Sequence, residues 1–236
     1  MLIAAGQEAQ PRMLFDFHTH TILSDGVLLP IELIRRAIVN GYSALGLADH
    51  SSASTMRRVI EEAARDCALA ARCWGFQALP GVELTHVPPE AIAELAAEAR
   101  EWGATHVIVH GESPVEPVAP GTNLAAVRCP DVDILAHPGL LQAEEATAAA
   151  EHGVFIELTA KEGHSLGNGR VWRVAQAAGA ACLLNSDTHF PSQLLTEAFA
   201  RSVALNAGLP EEALPEVLVR NPQRLLAAIA ERQRGS

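Results

Sequence analysis

Short apolar runs in this chain repeatedly end in a residue that can bind a metal ion. The run 13–17 leads into His18, with His20 two residues on; 44–48 leads into Asp49 and His50, 79–82 into Glu83, 106–109 into His110, and 133–136 into His137; 182–186 leads into Asp187, with His189 two residues later. An isolated His-x-His pair is as readily a solvated strand end as a ligand pair. Six repetitions of one placement are not what structural scatter produces. They require strands that run side by side in one direction, so that their C-terminal ends share a place.

Alternate residues of a strand face the same way, so His18 and His20 aim at one point, and the turn that follows brings Asp25 within reach. Between the apolar runs lie helical stretches. Residues 31–39 repeat apolar side chains at helical spacing behind Pro30 and stop at Asn40-Gly41; 55–73 is rich in Ala; 90–102 follows Pro88-Pro89 and ends at Gly103. Further helices are expected over 123–128, 144–152, 170–178, 193–206, 211–219 and 222–232, and strands over 77–84, 132–136, 154–158 and 181–184. Residues 111–121, rich in Pro and Gly, form the longest irregular stretch.

About seven strand-helix units result, and apolar runs without polar alternation suit parallel strands covered on both faces. An open doubly wound sheet would gather its ligands at one switch point. Here nearly every strand supplies one, so the expectation is a closed or nearly closed β/α barrel with its site at the C-terminal face. No composition break marks a second domain; a tail over 1–12 and one domain over 13–236 are expected.

Composition narrows the function. A formal charge of -11 with no basic cluster argues against a nucleic-acid surface. The four cysteines form no Cys-x-x-Cys pair and read as reduced thiols. The first residues lack the basic region of a signal peptide, and no apolar stretch reaches membrane-spanning length, so a cytoplasmic protein is expected.

His18, His20, Asp25, His50, Glu83, His110, His137, Asp187 and His189 are more ligands than one cation takes, since Zn²⁺ uses about three or four. Two or three divalent ions are expected, and mixed imidazole and carboxylate donors suit Zn, Mn or Fe. The motifs HTHTxxSDG, ADH, GVEL, VHGE, AHPG and NSDTH, in this order from residue 14 to about 191, resemble the PHP (polymerase and histidinol phosphatase) superfamily. The resemblance implies a distorted (β/α)7 barrel with a trinuclear metal centre. It places His18, His20, Glu83 and Asp187 on one ion, Glu83 with His110 and His137 on a second, and Asp25, His50 and His189 on a third. Glu83, Asp187 and His189 would then be catalytic.

The expected activity is metal-assisted hydrolysis of a small phosphomonoester, such as a histidinol-like, sugar or nucleotide phosphate. A phosphodiesterase or exonuclease is the enzymatic alternative, and a metal-stabilised interaction module the non-enzymatic one. Lys161, the only lysine, together with His164 and Arg170, is the candidate set for phosphate capture. His86 reads as surface, His106 and His152 as structural, and Asp16 and Asp49 as groups that orient neighbouring histidines or cap strand ends.

Overall fold

The computed structural model describes residues 13–235; the expected tail over 1–12 lies outside the described residues. The strands are β1 (Leu14–Asp16), β2 (Tyr42–Leu47), β3 (His50–Ser51), β4 (Gln77–Pro80), β5 (Val82–Leu84), β6 (Val107–His110), β7 (Ile134–Ala136), β8 (Phe155–Thr159) and β9 (Cys182–Asn185). All pair in parallel: β1-β2-β4 form one sheet and β3-β5-β6-β7-β8-β9 the other. β2 and β3 are interrupted halves of one segment, as are β4 and β5, so the short strands make seven staves among the described residues. The last meets the first through a parallel bridge between Thr19 and Thr188. His20 N–H donates to Thr188 O at 2.8 Å, and Asp187 N–H donates to His18 O at 2.9 Å. This is the expected distorted (β/α)7 barrel.

The helices are α1 (Pro30–Val39), α2 (Met56–Trp74), α3 (Ile92–Glu101), α4 (Thr122–Val127), α5 (Ala143–His152), α6 (Asn168–Ala178), α7 (Glu197–Asn206) and α8 (Asn221–Gly235). α1 illustrates why they form: Pro30 supplies a ready-set first turn, Glu32 faces the positive helix end, and Leu33, Ile34 and Ala37 make one buried face. α7 starts at Glu197 rather than near 193, because Thr196 Oγ1 accepts the Phe199 N–H at 3.2 Å and fixes the cap there. The stretch 211–219 is a 3₁₀ turn followed by a π turn (Glu216–Arg220) running into α8, not one helix. No helix among the described residues is long and apolar enough to cross a membrane.

Strand alternation separates two apolar regions. Val107, Val109, Leu135, Ile156, Leu158 and Leu184 face outward and pack with the helices. Phe15, Phe17, Ile108, Ile134, Phe155 and Leu183 face inward, and Leu225 and Ile229 of α8 pack on them. α8 lies across the N-terminal strand ends, where Arg232 Nη2 donates to Asp133 Oδ1 at 2.8 Å. Above this plug the buried His106 ring spans the barrel and Nε2–H donates to Phe17 O at 2.9 Å, a structural position as expected. Glycine makes that possible: a Cβ on Gly81 would stand 2.3 Å from the His106 ring, and one on Gly46 would stand 2.7 Å from it. The expected strand 77–84 divides at Gly81 into β4 and β5.

Candidate metal centre

At the C-terminal strand ends the barrel interior changes from hydrocarbon to imidazole and carboxylate. All nine positions named from the sequence meet there. His18 Nε2 is 3.3 Å from Glu83 Oε1, and His50 Nδ1 is 2.6 Å from Glu83 Oε2. His20 Nε2 is 3.2 Å from Asp187 Oδ1, while His137 Nε2 lies 3.7 Å from both Glu83 Oε1 and Asp187 Oδ2. His189 Nε2 and His50 Nε2 approach Asp25 Oδ2 at 3.1 and 3.6 Å, and the His110 ring sits 4.4 Å from that of His137. The donor atoms fall into overlapping groups, among them His18-Glu83-His137, His18-His20-Asp187 and His20-Asp25-His50-His189.

Buried backbone contacts fix the loops that carry these groups. Asp49 accepts from the Thr21 and Ser24 N–H groups at 2.7 and 3.1 Å and from the Thr21 hydroxyl at 2.8 Å, tying down the turn that presents Asp25. Asp16 Oδ1 accepts from the His18 and Ser186 N–H groups and so buckles the first segment to the last. Both carboxylates hold backbone rather than imidazole. The group that does hold an imidazole is Glu157, which the sequence reading passed over: its Oε2 lies 2.8 Å from His18 Nδ1 and accepts from Asn185 Nδ2 at 2.9 Å. A lone glutamate inside the apolar run 154–158 was the available signal.

Of the proposed phosphate-capturing residues, Lys161 reaches the cluster, with Nζ 2.6 Å from His189 Nδ1 and 3.3 Å from Asp187 Oδ1. His164 also arrives, buried, its ring 4.4 Å from that of His137. Arg170 does not. It lies in the first turn of α6, where its guanidinium donates to Leu141 O at 3.1 Å and faces Gln142.

Burial raises the Glu83 carboxyl, but the His18, His50 and His110 imidazoles outweigh it and hold the group well below the usual range. Asp187 is likewise held far down, His18 and His20 overcoming its burial. Burial pushes His20 down to about 4 and, reinforced by His110, takes His137 well below its ordinary value. Both carboxylates are therefore ionised and His20 and His137 neutral, as cation binding requires. Against their burial, Glu157 and Glu83 raise His18 and Glu83 raises His50 to about 9, so these two rings give up a proton when a cation binds.

Three features fit such a cation. First, His18 Nε2, both nitrogens of His20 and of His137, and Glu83 Oε1 are buried without a hydrogen-bond partner. Each such atom costs about 1–3 kcal/mol unless something satisfies it. Second, the donors are imidazole and carboxylate, which suit Zn²⁺, Mn²⁺ or Fe²⁺. Third, His86, His137 and Asp187, with φ of 53°, 27° and 54°, are the non-glycine residues in the left-handed region among the described residues, and all three border this site. Backbone strain of this kind collects at functional sites.

No family model matches the chain. It is 43% identical to the uncharacterized protein MJ1295 of Methanocaldococcus jannaschii over 218 residues, which is 92% of this chain and 100% of that protein. A 5'-3' exoribonuclease of Haemophilus influenzae is 38% identical over 71 residues, 30% of this chain and 23% of the relative. Among solved structures, a chain of an archaeal ribonuclease P complex with mature tRNA superposes with a TM-score of 0.66 at 15% identity, covering 92% of this chain and 90% of that one. Histidinol phosphate phosphatase from Lactococcus lactis, solved with zinc, L-histidinol and phosphate, gives a TM-score of 0.58 at 13% identity, covering 84% and 94%. These likenesses show the barrel fold. The expectation that nucleic acid is an improbable partner finds no support in them.

Proposed function

We propose that the chain, which belongs to the same family as the M. jannaschii protein MJ1295, is a metal-dependent phosphoesterase of the PHP superfamily acting on a small phosphomonoester. The observation that carries this reading is the set of partnerless buried donor atoms converging at the barrel mouth. The order of the sequence motifs and the fold shared with a zinc-containing phosphatase support it. The nine pattern residues would hold two or three divalent ions. Such ions supply Lewis acidity: they make water nucleophilic near neutral pH and offset charge on the phosphoryl group during in-line attack.

The chain's own residues do the rest. Glu83 and Asp187 stay ionised and draw the imidazoles of opposite staves together. Glu157 fixes the His18 ring so that Nε2 faces the mouth. Lys161 presents a flexible ammonium, one-fifth exposed, that binds a phosphate oxygen at the rim. A second reading, hydrolysis of a phosphodiester or of RNA from one end, is favoured by the exoribonuclease relative.

Parallel assays on a chromogenic phosphate monoester, the matching diester and a 5'-phosphorylated oligoribonucleotide separate the two, using Mn²⁺- and Zn²⁺-loaded protein with His18→Ala as control. Monoester turnover lost in the variant is the expected result. Preference for the diester or the oligonucleotide moves the assignment to the second reading. Full metal loading without turnover of any substrate would overturn both.

A further inference from the structure

The irregular segment after β6 carries a carboxylate into the mouth that the nine-residue pattern does not include. Glu116 Oε2 lies 3.3 Å from His110 Nε2, and Oε1 lies 3.2 Å from His164 Nε2. A charge-assisted hydrogen bond from nitrogen to oxygen spans about 2.7–2.9 Å. Two atoms that bind one cation at about 2.1 Å in tetrahedral arrangement stand about 3.4 Å apart. Both Glu116 separations resemble the edges of a coordination shell. The Glu116 Oε2 to His86 Nε2 distance of 2.9 Å is that of a hydrogen bond.

His164 comes from the 3₁₀ turn His164–Gly167 after β8, two staves along the sheet. Its Nδ1 is 2.8 Å from the buried Ser113 hydroxyl. When Nδ1–H donates to that oxygen, Nε2 presents a lone pair toward Glu116. His110, His137 and His164 each offer a nitrogen within 4.8 Å of the others. Among them His137 is almost wholly buried with neither ring nitrogen bonded, so the group contains an unmet donor demand independent of the loop.

We infer that Glu116 and His164 are metal ligands in this chain, joining His110 and His137 around the ion nearest β6 and β7, with His86 orienting Glu116. The inference rests on the metal-centre reading above and assigns two ligands that reading lacks. This ion is enclosed by the segment 111–121, whose root is pinned by Glu112 Oε1 accepting the Gly121 and Asn123 N–H groups.

The test is Co²⁺ binding, read as ions retained per chain against a competing chelator and as visible d–d absorbance, in the parent, Glu116→Gln, His164→Ala and His86→Ala proteins. Glu116→Gln and His164→Ala should each release one ion at least a hundredfold more readily and leave the others in place, and His86→Ala should release the same ion about tenfold more readily, the scale of losing a group that orients a ligand. Glu116 lies on a partly exposed loop, so Glu116→Gln decides the matter even if His164→Ala fails to fold. Parent-like release from Glu116→Gln overturns the inference while the metal centre stands. A parent protein that binds no Co²⁺ overturns both.

Discussion

The two ends of the barrel use the same seven staves and satisfy their polar groups in opposite ways. At the N-terminal end, Leu225 and Ile229 close over Phe15, Ile134 and Phe155, and Asp133, a buried carboxylate, is matched by Arg100 and Arg232 and accepts the Val107 N–H at 2.9 Å. At the mouth, eight buried side-chain atoms have no partner among the described residues. With each unmet group costing about 1–3 kcal/mol unless satisfied, the plug meets its polar needs from within the chain, whereas the mouth calls for a cation to meet its own. Stability should therefore fail at one end and activity at the other, each separately.

The largest expected effect is at the mouth. Glu83→Gln takes the charge from a carboxylate that faces His18, His50 and His137, and hydrolysis should fall about 10³-fold, equivalent to about 4 kcal/mol. Bound ions stabilise the folded state by an amount that grows with the logarithm of their concentration over Kd. A chelator should therefore lower the melting temperature of the parent, and that drop should shrink in the variant. Activity retained within tenfold would remove Glu83 from the centre of the site.

The converse change lies at the plug. Ile229→Ala opens a cavity under Phe15 and Ile134, 1% of the side chain being exposed in the parent. It should cost about 2–4 kcal/mol in urea unfolding, with the ions bound per chain and the turnover number unchanged. Loss of metal alongside stability would show that the ends are coupled, and the comparison would fail.

How far each end was legible in the sequence follows from what the pattern depends on. The convergence of the nine candidate positions was legible because eight lie at or just past the end of a stave, where strand periodicity and chain direction fix their location, and Asp25 lies in the turn that follows the first. Glu157 was not, because its meaning comes from His18, 139 positions away and brought near only where the last stave meets the first. Glu116 lies in a segment without periodicity, and its inward position is read only from its contacts with His86, His110 and His164, which come from other parts of the chain. The division at Gly81 was not legible either, and β3 is two residues long, too short for any pattern to register.

The layer between the ends gives a smaller effect that sharpens the boundary. Burial pushes His106 down to about 4 from an ordinary 6.5, although Asp133 opposes the shift. The folded chain therefore keeps this ring neutral where the unfolded chain protonates it, and the unfolded state binds the extra proton between these values. Stability is complete above pH 6.5 and declines as the pH falls toward 4. At pH 5 the loss attributable to this group is about 2 kcal/mol relative to pH 7. His106→Asn should lose that much less than the parent between the two pH values in paired urea titrations, the site histidines cancelling in the difference. Coincident slopes would mean that the layer is open to water and the mouth not sealed from the plug.

The smallest effect concerns two cations that look alike in sequence, nine positions apart on the same return to α6. Lys161 extends into the mouth, where its ammonium lies against Asp187 and His189. Arg170 turns the other way and donates to the Leu141 carbonyl ahead of α5. On the proposed function a phosphate at the mouth meets the first and not the second. Lys161→Ala should raise KM about tenfold or more, the scale of one hydrogen bond to a charged group. Arg170→Ala should leave kcat and KM within twofold and cost at most about 1 kcal/mol of stability from the carbonyl it abandons. A tenfold KM effect at Arg170 would mean that the substrate extends over the rim toward α5, and that the mouth as drawn by its metal ligands is smaller than the site that binds.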